Sequence, residues 1–91
     1  MGPTRKLTSM EFTGPEGVRI GLDGDGWRII TPRNLGPAVL ERARELLGRA
    51  EECHPPVEPD RLEPVTLEEI GLHAAKTLGL RITHRYFKKL R

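Results

Sequence analysis

Val18-Arg19-Ile20-Gly21-Leu22-Asp23-Gly24-Asp25-Gly26-Trp27-Arg28-Ile29-Ile30 decides the fold. Val18, Ile20 and Leu22 alternate with Arg19, Gly21 and Asp23, which gives an extended segment one apolar face and one polar face. Asp23-Gly24-Asp25-Gly26 follows, with glycines suited to the positive φ of a tight hairpin turn. Trp27-Arg28-Ile29-Ile30 resumes a strand, and Pro32 ends it. The turn begins like a calcium loop, but the match stops at once. Trp27 stands where a third oxygen ligand is needed, and Asn34 where a bidentate glutamate is needed.

Working upstream, Leu7 to Thr13 is a further strand with Met10 and Phe12 on one side, and Gly14-Pro15-Glu16-Gly17 turns it into the next. The simplest arrangement is a three-stranded antiparallel meander. Three strands are close to the minimum for independent stability and need a cover. Downstream, Leu35, Val39, Ala43, Leu46, Leu47 and Ala50 recur at three- and four-residue steps, flanked by Leu40, and predict an amphipathic helix over about 35–52 lying across the sheet. Asn34 is its expected N-cap and Pro37 falls in its first turn. Glu45 and Arg49 form an i,i+4 pair on the solvent side.

Residues 53–64 hold four of the eight prolines, a density that leaves neither helix nor central strand and reads as a stiff, extended connector. Thr66-Leu67-Glu68-Glu69 is a capping box, with Val65 and Ile70 placed as its hydrophobic staple. Leu67, Ile70, Ala74 and Leu78 line one face of a helix from about 67 to 78, and Gly79 suits the left-handed position after its end. The last stretch, Leu80 to Arg91, has two readings. As a strand, Leu80, Ile82, His84 and Tyr86 share a face. As a helix capped by Thr83, Tyr86, Phe87 and Leu90 cluster while Arg85, Lys88, Lys89 and Arg91 splay outward. The helix is preferred here because Lys-Lys-Leu-Arg contains no β-branched residue. The expected architecture is therefore α+β. A meander with one covering helix (1–52) is followed by a Pro-rich connector (53–64) and a C-terminal helix or helical hairpin with a basic end (65–91), all in one small domain.

From Thr66 to Arg91 the chain resembles a helix-turn-helix. Ala75 stands four before the turn glycine Gly79, where a small residue lets two helices approach, and a basic segment follows. It departs from that pattern at Arg85, which occupies a position usually filled by a buried β-branched side chain. The resemblance implies DNA contact through Arg85, Lys88, Lys89 and Arg91, with Tyr86 or His84 nearby.

Charge supports the same end of the chain. The net charge of +2 is small, but residues 81–91 carry Arg81, Arg85, Lys88, Lys89 and Arg91 and no acid, while residues 34–80 are net acidic. Such a cluster suits phosphates. Arg19 and Arg28, opposite the buried side chains of neighbouring strands, offer a second basic surface on the sheet.

Other function classes find little footing. The chain has 91 residues and no apolar run near the roughly 18 needed to span a membrane. Met1 to Met10 is polar, so no secretory signal is expected. The lone Cys53 suits a reducing, cytoplasmic compartment. Cys53, His54, His73 and His84 lack metal-ligand spacing, and no phosphate loop, nucleophile motif or paired-carboxylate pattern appears. No catalytic role, cofactor or metal is expected. The sequence reads as a small nucleic-acid-associated or transcription-regulatory protein with DNA or RNA as partner. The alternative is a protein–protein module: an adaptor, an inhibitor of a larger enzyme, or a self-associating scaffold such as a homodimer.

Overall fold

The computed structural model describes residues 5–30 and 36–89. Elements run β1 (Arg5–Thr13), a short 3-10 turn (Pro15–Gly17), β2 (Arg19–Asp23), β3 (Gly26–Ile29), α1 (Pro37–Glu52), α2 (Leu67–Leu78) and β4 (Arg81–Lys89). The four strands form one antiparallel sheet in the order β3-β2-β1-β4.

The alternation read in β2 sets the layers. Ile20 and Leu22 point to the helix side with Val18 just before them, and meet Met10 and Phe12 of β1 and Ala43, Leu46 and Ala50 of α1. These residues and Leu80 make the core. Trp27 of β3 packs its ring on Phe12, with centroids 5.3 Å apart. At the β2–β3 turn, Asp25 N–H donates to Asp23 Oδ1 at 2.8 Å, the local closure expected of Asp in a hairpin turn.

α1 packs over β3 and β2, and α2 packs over β1 and β2. The two helices thus carry the chain across the back of the sheet, from its β3 edge to the central strand β1 beside β4. α1 starts at Pro37 with Gly36 as N-cap and no side-chain cap. The expected cap Asn34, and Leu35 of the apolar stripe, lie outside the described residues. Between the helices, residues 53–64 form neither helix nor strand, as their prolines require. Arg61 ties this segment to α2: Nε donates to the Glu63 carbonyl at 2.9 Å, and the guanidinium forks onto the Glu69 carboxylate, Nη1 to Oε2 at 2.6 Å. Thr66 caps α2 by accepting from Glu69 N–H at 3.2 Å, and Gly79 ends it at φ 68°. No helix of the described residues is long and apolar enough to cross a membrane.

Three expectations are corrected. The sheet has four strands, not three, and two helices cover it, not one. Residues 81–89 are a strand, so the second helix is not formed and the helix-turn-helix does not exist. The cause is tertiary. β1 is nine residues long, and its edge away from β2 needs a partner. Ile82, Thr83, Tyr86 and Phe87 are β-branched or aromatic and suit a pleated surface, which outweighs the weak helical preference of the final basic residues.

Candidate nucleic-acid interface

The basic C-terminal segment is an edge strand. β4 pairs with β1 along its whole length, from Arg5↔Lys89 to Thr13↔Arg81, with two register shifts. One shift leaves Thr8 unopposed on β1 and the other leaves Thr83 unopposed on β4. Both are closed by threonine hydroxyls: Thr8 Oγ1 donates to the Tyr86 carbonyl and Thr83 Oγ1 to the Glu11 carbonyl, each at 3.1 Å. Thr83, expected as a helix cap, is therefore the residue that changes which face the strand presents. Ile82 lies opposite Phe12 on the helix side, whereas His84 and Tyr86 lie opposite Glu11 and Ser9 on the open side. In the other direction, Arg85 stands opposite Met10 and Phe87 opposite Leu7, both toward the helices.

Of the nine residues in β4, Ile82 alone is not exposed. The helices cover β1 to β3, so β4 offers both faces and its outer edge to solvent. β1 pairs with β2 only from Ser9 onward. Beyond that point β1 and β4 continue as a two-stranded ribbon, about 13 Å long for four residues at roughly 3.3 Å each. Its end carries Arg5 and Lys6 directly across from Lys89 and Lys88. Two adjacent cross-strand pairs of like charge oppose folding.

Among the described residues, no ion pair involves Arg5, Lys6, Arg81, Arg85, Lys88 or Lys89. The acidic middle of the chain does not fold back onto β4. Glu69 is held by Arg61, whose guanidinium brings its carboxyl down to about 2. Arg91 lies outside the described residues.

The second basic surface is more nearly neutral than the sequence suggests. Arg19 and Arg28 project from the open face, but Arg19 Nη2 sits 3.5 Å from Glu11 Oε1 and Arg28 Nη1 3.7 Å from Asp23 Oδ2. Glu11 is the hub of that face. Its side chain is only 13% exposed, and its Oε2 accepts a hydrogen bond from the Tyr86 hydroxyl. That bond raises the Tyr86 pKa, because the carboxylate favours the protonated phenol. His84 lies beside Tyr86, with ring centroids 6.0 Å apart. Nothing in the sequence singles out Glu11, since its partner Tyr86 lies 75 positions away and only the pairing of β1 with β4 brings them together.

Among the described residues, no three of His, Cys, Asp and Glu gather where they could hold a metal ion. Cys53 is the C-terminal cap of α1, and its N–H donates to the Ala50 carbonyl at 3.1 Å. In comparisons with protein-family models, curated proteins and solved structures, none matches this chain.

Proposed function

We propose that this is a small nucleic-acid-binding protein that grips phosphates with the cationic ribbon of β1 and β4. The observation that carries the reading is the juxtaposition of Arg5 with Lys89 and of Lys6 with Lys88, side by side and away from any carboxylate partner among the described residues. Like charges in register cost folding energy, and a polyanion seated on them removes that cost and releases its own counterions. The contact residues are Arg81, Arg85, Lys88 and Lys89 of β4 with Arg5 and Lys6 of β1. Arg19 and Arg28 take a lesser part, since each already has an acidic neighbour.

The reading is tested by fluorescence anisotropy with labelled DNA and RNA oligonucleotides across salt concentrations. The four cations at the ribbon tip, Arg5, Lys6, Lys88 and Lys89, taken as about four phosphate contacts, predict an affinity loss of roughly 50- to 150-fold between 50 and 200 mM salt. Lys88→Gln and Lys89→Gln are each expected to weaken binding and to flatten the salt slope by about one. Absence of binding at 50 mM salt, or unchanged affinity in the double variant, overturns it.

A second reading draws on a different observation. The outer edge of β4 has no strand beyond it among the described residues, and Phe87 beside it is 52% exposed. An acidic extended segment of a partner protein could add there as a fifth strand. Direct titration separates the two: this reading predicts that a labelled acidic peptide binds while DNA and RNA oligonucleotides do not.

A further inference from the structure

We propose that the open face of the sheet is a stacking surface for unpaired bases, with Tyr86 as its platform, and that the nucleic acid held by the ribbon is single-stranded. This rests on the nucleic-acid reading above and specifies its ligand.

The first support is where the aromatics lie. On the open face of β4 the Tyr86 ring, 47% exposed, stands between His84 and the cation Lys88, while Arg85 and Phe87 point to the other face of this exposed strand. A duplex keeps its bases stacked inside and has little use for exposed rings. A single strand turns its bases outward, and aromatic rings flanked by cations are what holds it. The second support is how Tyr86 is held. Its backbone is in β4, and its hydroxyl is bonded to Glu11 of β1, which is braced in turn by Arg19. The ring is fixed at both ends across the β1–β4 boundary, so little side-chain freedom is left to lose when a base lands on it.

The third support is the hollow that Tyr86 borders. Ser9, Glu11, Arg28, Ile29, Ile30 and Tyr86 line a shallow depression on the open face. Ile30 lies over Gly21, which has no side chain to fill that place. A base resting against Tyr86 faces apolar Ile30 across the hollow, with the Arg28 guanidinium at the rim. His84, on the same face and 6.0 Å from Tyr86 between ring centroids, extends the platform along β4. The ribbon cations Lys88 and Lys6 continue that face toward the tip, where the sugar-phosphate chain runs.

The test compares one mixed-sequence oligonucleotide, as a single strand and annealed to its complement, at 100 mM salt. The expected result is at least tenfold tighter binding of the single strand. Tyr86→Ala is expected to lower single-strand affinity roughly 5- to 150-fold, the range for one stacked base, without changing the salt slope, since no cation is removed. Tyr86→Phe keeps the ring but frees it from Glu11, and its loss is expected to fall between wild type and Tyr86→Ala. Because the Tyr86 ring is half exposed, these variants are expected to keep the wild-type far-ultraviolet circular dichroism, while loss of the bond to Glu11 lowers the melting temperature slightly. If Lys88→Gln and Lys89→Gln weaken binding while Tyr86→Ala binds like wild type, or if the duplex is preferred, the stacking proposal is wrong and the phosphate reading stands. If neither nucleic acid binds and the acidic peptide does, both fall together.

Discussion

At the scale of single residues, Gly71 shows how closely α2 lies on the sheet. It sits in the middle of a helix, where alanine is intrinsically better by about 1 kcal/mol. A Cβ placed there, however, comes 2.5 Å from Met10 Sδ and 3.1 Å from Phe12 Cζ. Met10 and Phe12 are fully buried, so neither has space to retreat into. Overpacking of this kind costs about 1–3 kcal/mol, which exceeds the helical gain. Gly71→Ala is therefore expected to destabilise the protein by about 1 kcal/mol, seen as a lower urea midpoint at unchanged slope and a melting temperature lower by roughly 4–8 °C. Shortening the obstructing side chain tests the cause. Met10→Val combined with Gly71→Ala is expected to lose less than the sum of the two single losses. Strict additivity rules out the contact as the source.

At the scale of elements, the start of α2 and β4 show where the sequence was legible and where it was not. Thr66 was read as an N-cap from its spacing to Glu69, and its hydroxyl does accept the Glu69 N–H. The Glu69 carboxylate also reaches back to the Thr66 backbone N–H, as the capping box requires. It takes the Arg61 guanidinium and the Thr66 hydroxyl as well, and these contacts hold its pKa at about 2, against roughly 4.3 in an open chain. Because the folded value is the lower one, the interaction stabilises the fold fully above about pH 4.5 and fades as pH falls toward 2. Glu69→Gln is expected to be less stable than wild type at pH 7, with the gap closing between about pH 4.5 and 2 in thermal melts. A constant gap over that range refutes the assignment. Local grammar of this kind survives in a single sequence because every partner lies within eight residues. The same holds for the alternation in β2, the hairpin turn and the Gly79 stop. The strand at 81–89 is only the less favoured of two readings of the sequence, because its reason lies some 75 positions away, in the edge of β1 that faces away from β2. The bulge at Thr83 hid the pattern further, since it moves His84 and Tyr86 off the face that Ile82 occupies and so breaks the period of two. The cationic cluster itself was visible as composition. Its alignment with Arg5 and Lys6 was not, because cross-strand register carries no mark in the sequence.

At the scale of the whole molecule, β4 poses a problem that its charges also answer. A nine-residue strand at the edge of a sheet is a template for another strand, and the nearest candidate is β4 of a second copy. In an antiparallel pairing centred on Arg85, that residue faces its own counterpart and Arg81 faces Lys89 of the other chain. The bulge at Thr83 bends the strand as well. The cations proposed to grip phosphates are thus also placed to keep the free protein from pairing with itself, and the two proposed roles respond to salt in opposite directions. The proposed nucleic-acid affinity falls as salt rises, because counterions released into more concentrated salt gain less entropy. Self-pairing rises, because at about 1 M salt the screening length shrinks to roughly 3 Å and the opposed guanidiniums no longer repel. Sedimentation equilibrium is expected to show a monomer at 0.1 M salt and a shift toward dimer at 1 M. Replacing Arg81 and Arg85 with threonine, which favours strands and carries no charge, is expected to produce the dimer already at 0.1 M. A wild-type dimer at low salt, or association indifferent to salt, would show that the edge is closed by something other than charge, and would return β4 to the role of a subunit interface.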